Sequence, residues 1–177
     1  MNNTMRKKEV YLSLGSNKGD CFKMISQAIQ MIASIENVTF IKNSYLYQTS
    51  PLSPYPQDDY LNAACLIKTT LFPLSLLNKL QTIERALGQE TPYKEQKPRL
   101  IDIDILFYEG VELNEKNLTL PHPMWHKRLF VLIPLLDLTE TIYLPNQFPF
   151  SLRTYLKNFP NKKHQRIVLY TKRRLYA

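Results

Sequence analysis

The alternation of apolar and polar residues is strictest in the stretch Ile101-Asp102-Ile103-Asp104-Ile105. Successive side chains of a β-strand point to opposite faces of a sheet, so this stretch predicts a strand with one apolar and one acidic face. Phe107, two residues further along, is expected to continue the apolar face. Comparable runs of apolar, β-branched and aromatic residues predict strands over residues 9–14, 38–48 and 60–71.

Apolar residues recur at helical spacing in other parts of the chain. The predicted helices cover residues 21–36, residues 73–88, and a stretch from about 126–128 to 136. Asp20 is the expected N-cap of the first helix, Pro73 suits the first turn of the second, and Gly88 suits its end. The remaining patterns predict a short strand over 111–113, a short helix over 152–158 and an extended segment over 166–170.

The predicted elements follow the order β-α-β-β-α-β. This order is typical of a ferredoxin-like α+β fold, an antiparallel sheet with helices on one face, here with C-terminal additions. Residues 49–59, with three prolines, and residues 89–97, without periodicity, are long loops for a compact domain. Long loops of this kind are usually functional or disordered.

The 177 residues fit a single domain, with a core over about 9–160 and a C-terminal extension over 161–177. A hydrophobic content of 44% with 21% charged residues is typical of a soluble globular protein. The sequence pattern indicates neither a secretory signal nor a membrane span. Cys21 and Cys65 stand in no metal-binding or redox spacing, which indicates buried, reduced thiols and a cytoplasmic protein.

The net charge of +8 is concentrated at the end of the chain. Residues 141–177 contain 8 Lys and Arg and no acidic residue, whereas residues 1–140 contain 15 of each sign. A basic tail is found in proteins that bind nucleic acid or a charged partner. No aromatic stacking motif accompanies this one, so a solvated terminus that aids solubility is the favoured interpretation.

Asp102 and Asp104 are the leading candidates for chemistry. Their side chains are expected on one face of the strand, about 6.5–7 Å apart, and like charges repel when their surroundings are partly desolvated. Two Mg²⁺ ions, with phosphate oxygens completing their coordination shells, would relieve this repulsion. Arg99, on the same side near the start of the strand, is placed to bind a phosphate with its planar guanidinium. Taken alone, the stretch fits a plain strand with one solvated face equally well.

Five segments carry a wider signal. They are residues 14–17 (Leu-Gly-Ser-Asn), 47–52 (Tyr-Gln-Thr-Ser-Pro-Leu), 59–64 (Asp-Tyr-Leu-Asn-Ala-Ala), 98–106 (Pro-Arg-Leu-Ile-Asp-Ile-Asp-Ile-Leu), and 120–123 (Leu-Pro-His-Pro) with Arg128 and Phe130. In this order and at this spacing they resemble the 6-hydroxymethyl-7,8-dihydropterin pyrophosphokinase family of folate biosynthesis. The resemblance covers roughly residues 9–160. It implies a ferredoxin-like enzyme that transfers diphosphate from ATP to the pterin hydroxymethyl group and leaves AMP.

The resemblance also implies roles for individual residues. The catalytic positions are Arg99, Asp102 and Asp104, with two Mg²⁺ ions held by Asp102 and Asp104. The ATP-binding positions are Gln81, Glu84, Arg99, Ile105, Thr119, His122 and Arg128. The pterin-binding positions are Thr49, Ser50, Leu52, Tyr60, Asn62, Asp102 and Phe130. The implied substrates are ATP and the pterin. No membrane or nucleic-acid partner is expected, and the expected state is a monomer.

The chain departs from the family pattern just before Pro98. The family usually has a Trp-Gly pair there, whereas this chain has Gln96-Lys97. The second aromatic face for the pterin is therefore missing at its expected place. Tyr93 is a candidate replacement if the loop moves.

A second departure affects the nucleotide side. The family usually has arginines shortly after the glycine that ends the second helix, whereas this chain has Gln89 and Thr91. Lys94 and Lys97 are expected to compensate, but as point charges without the bidentate geometry of arginine. We therefore expect weaker ATP binding or slower turnover than in a typical member.

Two alternatives remain at the level of the sequence. A ferredoxin-like sheet and a high pI also suit an RNA-binding module, but such a module needs exposed aromatic residues where this chain has two aspartates. The other alternative keeps the fold and the metal site but has lost efficient catalysis through the substituted loop. An assay for AMP release with the pterin substrate separates all three interpretations.

Overall fold

The structure is a computed structural model that describes residues 6–89, 97–160, 165–172, 174 and 175. The elements in chain order are β1 (Lys8–Ser16), α1 (Cys21–Ala33), β2 (Val38–Asn43), β3 (Leu46–Thr49), β4 (Tyr60–Thr69), α2 (Pro73–Ala86), β5 (Asp102–Tyr108), β6 (Leu113–Glu115), β7 (Leu118–Leu120), a 3₁₀ helix (Trp125–Lys127), α3 (Leu129–Leu136), β8 (Thr141–Ile142), β9 (Phe150–Ser151), α4 (Leu152–Lys157) and β10 (Ile167–Thr171). None of the helices in these residues is long and apolar enough to cross a bilayer.

The main sheet is antiparallel and has the order β10-β3-β4-β1-β5, with β2 also paired to β4. The ferredoxin-like α+β prediction is thereby confirmed. The single strand predicted over 38–48 is instead divided into β2 and β3, which pair with successive parts of β4. Between β2 and β3 the hydroxyl of Ser44 accepts from the N–H of Ala64 at 2.8 Å, and the N–H of Tyr45 donates to Asp137 at 3.0 Å instead of to a strand.

Both faces of the sheet are covered. Helices α1 and α2 share one apolar cluster with alternate residues of β1, β4 and β5. Helices α3 and α4 belong to a second cluster, which includes Ala64 and Leu66 of β4. The expectation of helices on one face therefore holds for α1 and α2 only, and the C-terminal additions cover the other face.

The predicted position of Phe107 is wrong. The pairing of β1 with β5 shifts register, because Tyr11 faces Phe107 while the next residue, Leu12, faces Ile105. This irregularity at Leu106 ends the strict alternation. Phe107 consequently joins the second cluster, where its ring lies edge-on to Trp125 with centroids 4.9 Å apart.

The helix ends largely follow the predicted signals. The Asp20 side chain accepts from the N–H of Lys23 at 3.0 Å, Pro73 begins α2, and Gly88, which follows the C-cap residue Leu87, has a positive φ of 90°. Helix α1 ends at Ala33, three residues earlier than expected. The strand predicted at 111–113 begins only at Leu113, as β6 of a hairpin with β7, and a 3₁₀ turn precedes α3.

The two cysteines form no disulfide. Cys65 is buried in β4, as predicted, and its burial raises the pKa of the thiol. Cys21, at the start of α1, is only half-buried.

Candidate active site

A cavity of ≈ 410 Å³ lies over the acidic face of β5. The predicted site residues that line it are Thr49, Ser50, Leu52, Tyr60, Asn62, Arg99, Asp102, Asp104, Arg128 and Phe130. These residues come from three strands of the sheet, two loops and the start of α3. The sheet register brings them together, because Gly15 of β1 faces Asn62 of β4 on one side and Asp102 of β5 on the other.

The central position of Gly15 requires a glycine. A Cβ atom built there would lie 3.2 Å from the Oδ1 of Asn62. Asn62 has little room to retreat, since it is 2% exposed and its Nδ2 donates to the Oγ1 of Thr49 at 2.8 Å. The absent side chain therefore leaves the amide of Asn62 in place beside Thr49.

The two aspartates share a strongly charged environment. Burial and the neighbouring Asp104 raise the pKa of Asp102 to about 6, although the guanidinium of Arg99 forms an ion pair with it. Burial also raises the pKa of Asp104, against the opposing influence of Arg128 and Arg99. The side chains of Asp102 and Asp104 remain 29% and 40% exposed, so both are open to a ligand. The arrangement favours any cation that offsets the charge of the carboxylates.

Asn17 holds the backbone of Arg99 in place. Its side-chain Oδ1 accepts from the N–H of Arg99 at 2.8 Å, and its backbone N–H donates to the carbonyl of Arg99 at 3.0 Å. The Nδ2 of the same residue donates to Gln57 at 2.9 Å and to the carbonyl of Asp58 at 3.2 Å. The buried asparagine of the 14–17 segment thus joins the proline-rich loop to the start of the acidic strand.

A second cavity, of ≈ 270 Å³, lies beside the first. Three of the predicted nucleotide positions, Ile105, Thr119 and His122, line it. Asp104 lines both cavities and lies where they meet, whereas Asp102 lines the larger one. This layout can place a nucleotide on one side of the carboxylates and a flat ring on the other.

The Nε2 atom of the His122 ring faces Asp104. Its Nδ1 accepts from the N–H of Met124 at 3.1 Å, which places the proton of a neutral imidazole on Nε2. Nε2 lies 3.9 Å from Asp104. Burial and the nearby Arg128 lower the pKa of His122, so the neutral form is favoured near pH 7.

Gln81 and Glu84, the other two predicted nucleotide positions, line neither cavity. Glu84 is 2% exposed, and its Oε1 accepts from the N–H of Ile103 at 2.7 Å. The carboxylate of Glu84 therefore lies against the backbone of β5, and its role at the nucleotide stays a prediction.

The substituted loop falls largely outside the described residues. Thr91, Tyr93, Lys94 and Gln96 are among those outside. Gln89 is described, and its Oε1 accepts from the N–H of Leu100 at 2.9 Å, which holds the base of the loop. Lys97 lines the larger cavity, as its expected compensating role requires.

Sequence reasoning missed some residues that line the larger cavity, namely Ser13, Met124 and Lys127. Ser13 can be recognised as a lining residue only from the strand pairing, because it pairs with Asp104 between β1 and β5. Lys127 lies in the 3₁₀ turn, whose residues follow no helical or strand period. Its position next to Arg128 was the available signal.

The carboxylate pair fits magnesium held jointly with a nucleotide. Among the described residues, no group of three or more His, Cys, Asp or Glu side chains could hold a metal ion. Mg²⁺ is commonly bound through one or two carboxylates, with phosphate oxygens and water completing an octahedral shell. A pair of aspartates beside two arginines is therefore a suitable donor set only when phosphate is also present.

A model of the family described as 7,8-dihydro-6-hydroxymethylpterin-pyrophosphokinase (HPPK) matches residues 11–140. The chain belongs to the HPPK family. It is thereby assigned to the pyrophosphokinases of folate biosynthesis, and the resemblance inferred from the five segments is confirmed.

Curated HPPK relatives match over most of the chain. A 2-amino-4-hydroxy-6-hydroxymethyldihydropteridine pyrophosphokinase of Haemophilus influenzae is 36% identical over 136 residues, which cover 77% of this chain and 84% of the relative. The protein of that name from Methylorubrum extorquens is 39% identical, over 76% of this chain and 84% of the relative. The folic acid synthesis protein fol1 of Pneumocystis carinii is 40% identical over 81% of this chain, which spans only 19% of fol1.

The fold is also shared with solved HPPK structures. A crystal structure of a Plasmodium falciparum HPPK-DHPS triple mutant aligns with a TM-score of 0.67 over 86% of this chain. The chain spans 43% of that protein, and the sequences are 17% identical, so the match shows the fold alone.

Proposed function

We propose that this chain transfers diphosphate from ATP to the hydroxymethyl group of 6-hydroxymethyl-7,8-dihydropterin. In this reaction the pterin oxygen forms a bond to the β-phosphorus, the bond between that phosphorus and the α-phosphate oxygen breaks, and the hydroxyl loses its proton. AMP and the pterin diphosphate are the products. The observation that carries the proposal is the pair of aspartates in the larger cavity, with Asp104 also lining the second cavity, in a member of the HPPK family.

Asp102 and Asp104 are proposed to hold two Mg²⁺ ions against the phosphates of ATP. Bound there, the ions would offset phosphate charge and favour ionisation of the pterin hydroxyl. Arg99 and Arg128 line the same cavity and would bind phosphate oxygens. Phosphoryl-type transfer depends mainly on positioning and charge stabilisation, which is what these four side chains supply.

The remaining residues divide between the two substrates. Asn62, supported by Thr49, would read the amide-like edge of the pterin, and Phe130 would stack on its ring. The guanidinium of Arg128 lies 5.6 Å from the centroid of Phe130, so phosphate and ring binding are adjacent. The second cavity, with Ile105 and His122, would take the nucleoside end of ATP.

The proposed partners are these two small molecules, and the proposed state is a cytoplasmic monomer. Nucleic acid is not expected, because the acidic strand would repel a phosphate backbone unless metal ions intervened. The alternative of an RNA-binding module has no support from the comparisons, which are with pyrophosphokinases.

A coupled assay for AMP release with ATP, Mg²⁺ and the pterin substrate tests the proposal. We expect AMP formation that requires all three components, and a loss of about 10³-fold or more in Asp102→Ala and Asp104→Ala. Wild-type protein that binds pterin and Mg-ATP by calorimetry without releasing AMP would favour the catalytically weakened relative. Magnesium-dependent activity that survives both substitutions would refute the assigned site.

A further inference from the structure

The segment before β10 contacts two separate parts of the active site. Ile167 of β10 pairs with Thr49 of β3, so the two preceding residues lie at the mouth of the proline-rich loop. Gln165 and Arg166, here called the C-terminal latch, do not line the larger cavity. Their contacts, however, reach residues on opposite sides of it.

The side chain of Gln165 hydrogen-bonds to the backbone on both sides of Arg128. Its Oε1 accepts from the N–H of Leu129 at 2.8 Å, and its Nε2 donates to the carbonyl of Lys127 at 3.1 Å. Leu129 is the first residue of α3, and the N-cap residue Arg128 makes no side-chain capping bond there. The amide of Gln165 thus supplies a capping acceptor from another part of the chain.

Arg166 contacts the pterin side. Its carbonyl accepts from the N–H of Ser50 at 3.1 Å, and its own N–H donates to the hydroxyl of Ser50 at 3.2 Å. Its guanidinium forms an ion pair with Asp59, whose carboxylate also accepts from the Nε2 of Gln48 at 2.8 Å. Asp59 directly precedes Tyr60, which lines the cavity.

We propose that the C-terminal latch is a positioning device that fixes the start of α3 relative to the pterin loop. Because Gln165 and Arg166 are adjacent in the chain, a displacement of one contact set is transmitted to the other. Arg128 and Phe130 are thereby held at a fixed separation from Ser50. The inference rests on the proposed function, and it gives the end of the chain a role that its basic composition does not reveal.

Steady-state kinetics on the whole chain test the latch. We expect Gln165→Ala to lower kcat/KM for the pterin about tenfold, because two hydrogen bonds to the α3 start are lost. Gln165→Glu keeps an acceptor for the N–H of Leu129 but places its second carboxylate oxygen against the carbonyl of Lys127, so it is expected to recover only part of that loss. Arg166→Ala removes an exposed ion pair and is expected to raise the pterin KM about two- to threefold, with the KM for ATP unchanged. Val168→Ala, at an exposed position of β10 just after the latch, is the matched control and should change nothing.

Amide hydrogen exchange in the absence of substrates supplies a readout that does not depend on activity. If the latch couples the two sides, Arg166→Ala accelerates exchange at the N–H of Leu129, and Gln165→Ala accelerates exchange at the N–H of Ser50. Exchange changes confined to the mutated side, or kinetic losses equal to those of Val168→Ala, would overturn the proposal. Inactive wild-type protein with the coupled exchange pattern would contradict the proposed function and leave the latch supported.

Discussion

The buried carboxylate of Glu84 accepts a hydrogen bond from the backbone N–H of Ile103, the residue between the two aspartates, at 2.7 Å. Ile103 pairs with Leu14 on its other side, within the β1–β5 ladder. Helix α2 is thus hydrogen-bonded to the acidic strand at Ile103, the residue that separates Asp102 from Asp104. The contact stabilises the backbone between the two carboxylates.

We expect Glu84→Ala to destabilise the protein by about 1–3 kcal/mol, because it removes the acceptor of a buried N–H. Glu84→Gln retains an acceptor oxygen and should lose clearly less. Urea unfolding gives the free energies, and Mg-ATP titration shows whether the strand has shifted. If the two variants were equally destabilised, the hydrogen bond to Ile103 would not be the source of the effect.

The raised pKa of Asp102 predicts a pH-dependent stability in the metal-free protein. The pKa is about 6, against an ordinary value of 3.8, because of burial and the neighbouring Asp104. A raised acid pKa stabilises the folded state fully below about pH 4, and this contribution is lost as the pH rises through about 6. In EDTA, Asp102→Asn should therefore gain about 1–3 kcal/mol over the wild type at pH 7 and almost nothing at pH 4.

Thermal unfolding across this pH range measures the difference. Asp58→Asn, an exposed aspartate outside the cavity, is the control. With Mg²⁺ and a non-hydrolysable ATP analogue the order should reverse, since only the wild type retains both carboxylates for the ions. A gain for Asp102→Asn that is the same at both pH values would refute the assigned pKa.

Gly15 limits the shape of the pterin side of the cavity. In Gly15→Ala the new Cβ would lie 3.2 Å from the Oδ1 of Asn62, which is buried and bonded to Thr49. Overpacking of this kind costs about 1–3 kcal/mol, so we expect the pterin KM to rise about five- to hundredfold. The dissociation constant of Mg-ATP should change much less, since Asn62 lies on the pterin side.

Gly110→Ala is a suitable control for this prediction. Gly110 has a positive φ of 67°, and a Cβ there would meet only the end of the Lys8 side chain at 4.0 Å. The substitution should lower stability by about 1 kcal/mol through backbone strain without altering the pterin KM. An equal rise in the pterin KM for both variants would indicate general destabilisation rather than contact with Asn62.

Much of the fold follows from local pattern, whereas the assembly of the site does not. The alternation of residues 101–105 located the acidic strand, and Asp20, Pro73 and Gly88 gave the helix ends, because these signals act over a few residues. The register shift at Leu106 reversed the face of Phe107, and no local pattern records it. Cross-strand pairing decides such features, and it is a property of two strands at once.

The same reasoning separates the site residues found from those missed. Most of the cavity lining was predicted through the family resemblance, and Asp102 and Asp104 also from their own spacing. Ser13 was missed because it lies next to Asp104 only through the pairing of β1 with β5. The contacts of Gln165 with Lys127 and Leu129 join residues that no periodicity relates.

The charge supplied by Lys97 is expected to support nucleotide binding. Lys97 lines the cavity next to Arg99, at a position where the family usually has glycine. A lysine can attract phosphate as a point charge but lacks the bidentate hydrogen-bonding geometry of arginine. We expect Lys97→Ala to weaken ATP binding about three- to tenfold, and Lys94→Ala with Lys97→Ala to weaken it further.

Salt dependence distinguishes a direct charge effect from a structural one. The loss in Lys97→Ala should shrink as ionic strength rises, because exposed charges are screened. Lys79→Ala, an exposed lysine of α2 outside both cavities, is the matched control and should bind ATP like the wild type. If the double variant keeps the ATP affinity and turnover of the wild type, these lysines do not compensate for the missing arginines. Lys97→Arg would then bring no gain, whereas under the compensation hypothesis it tightens ATP binding because a bidentate contact replaces a point charge.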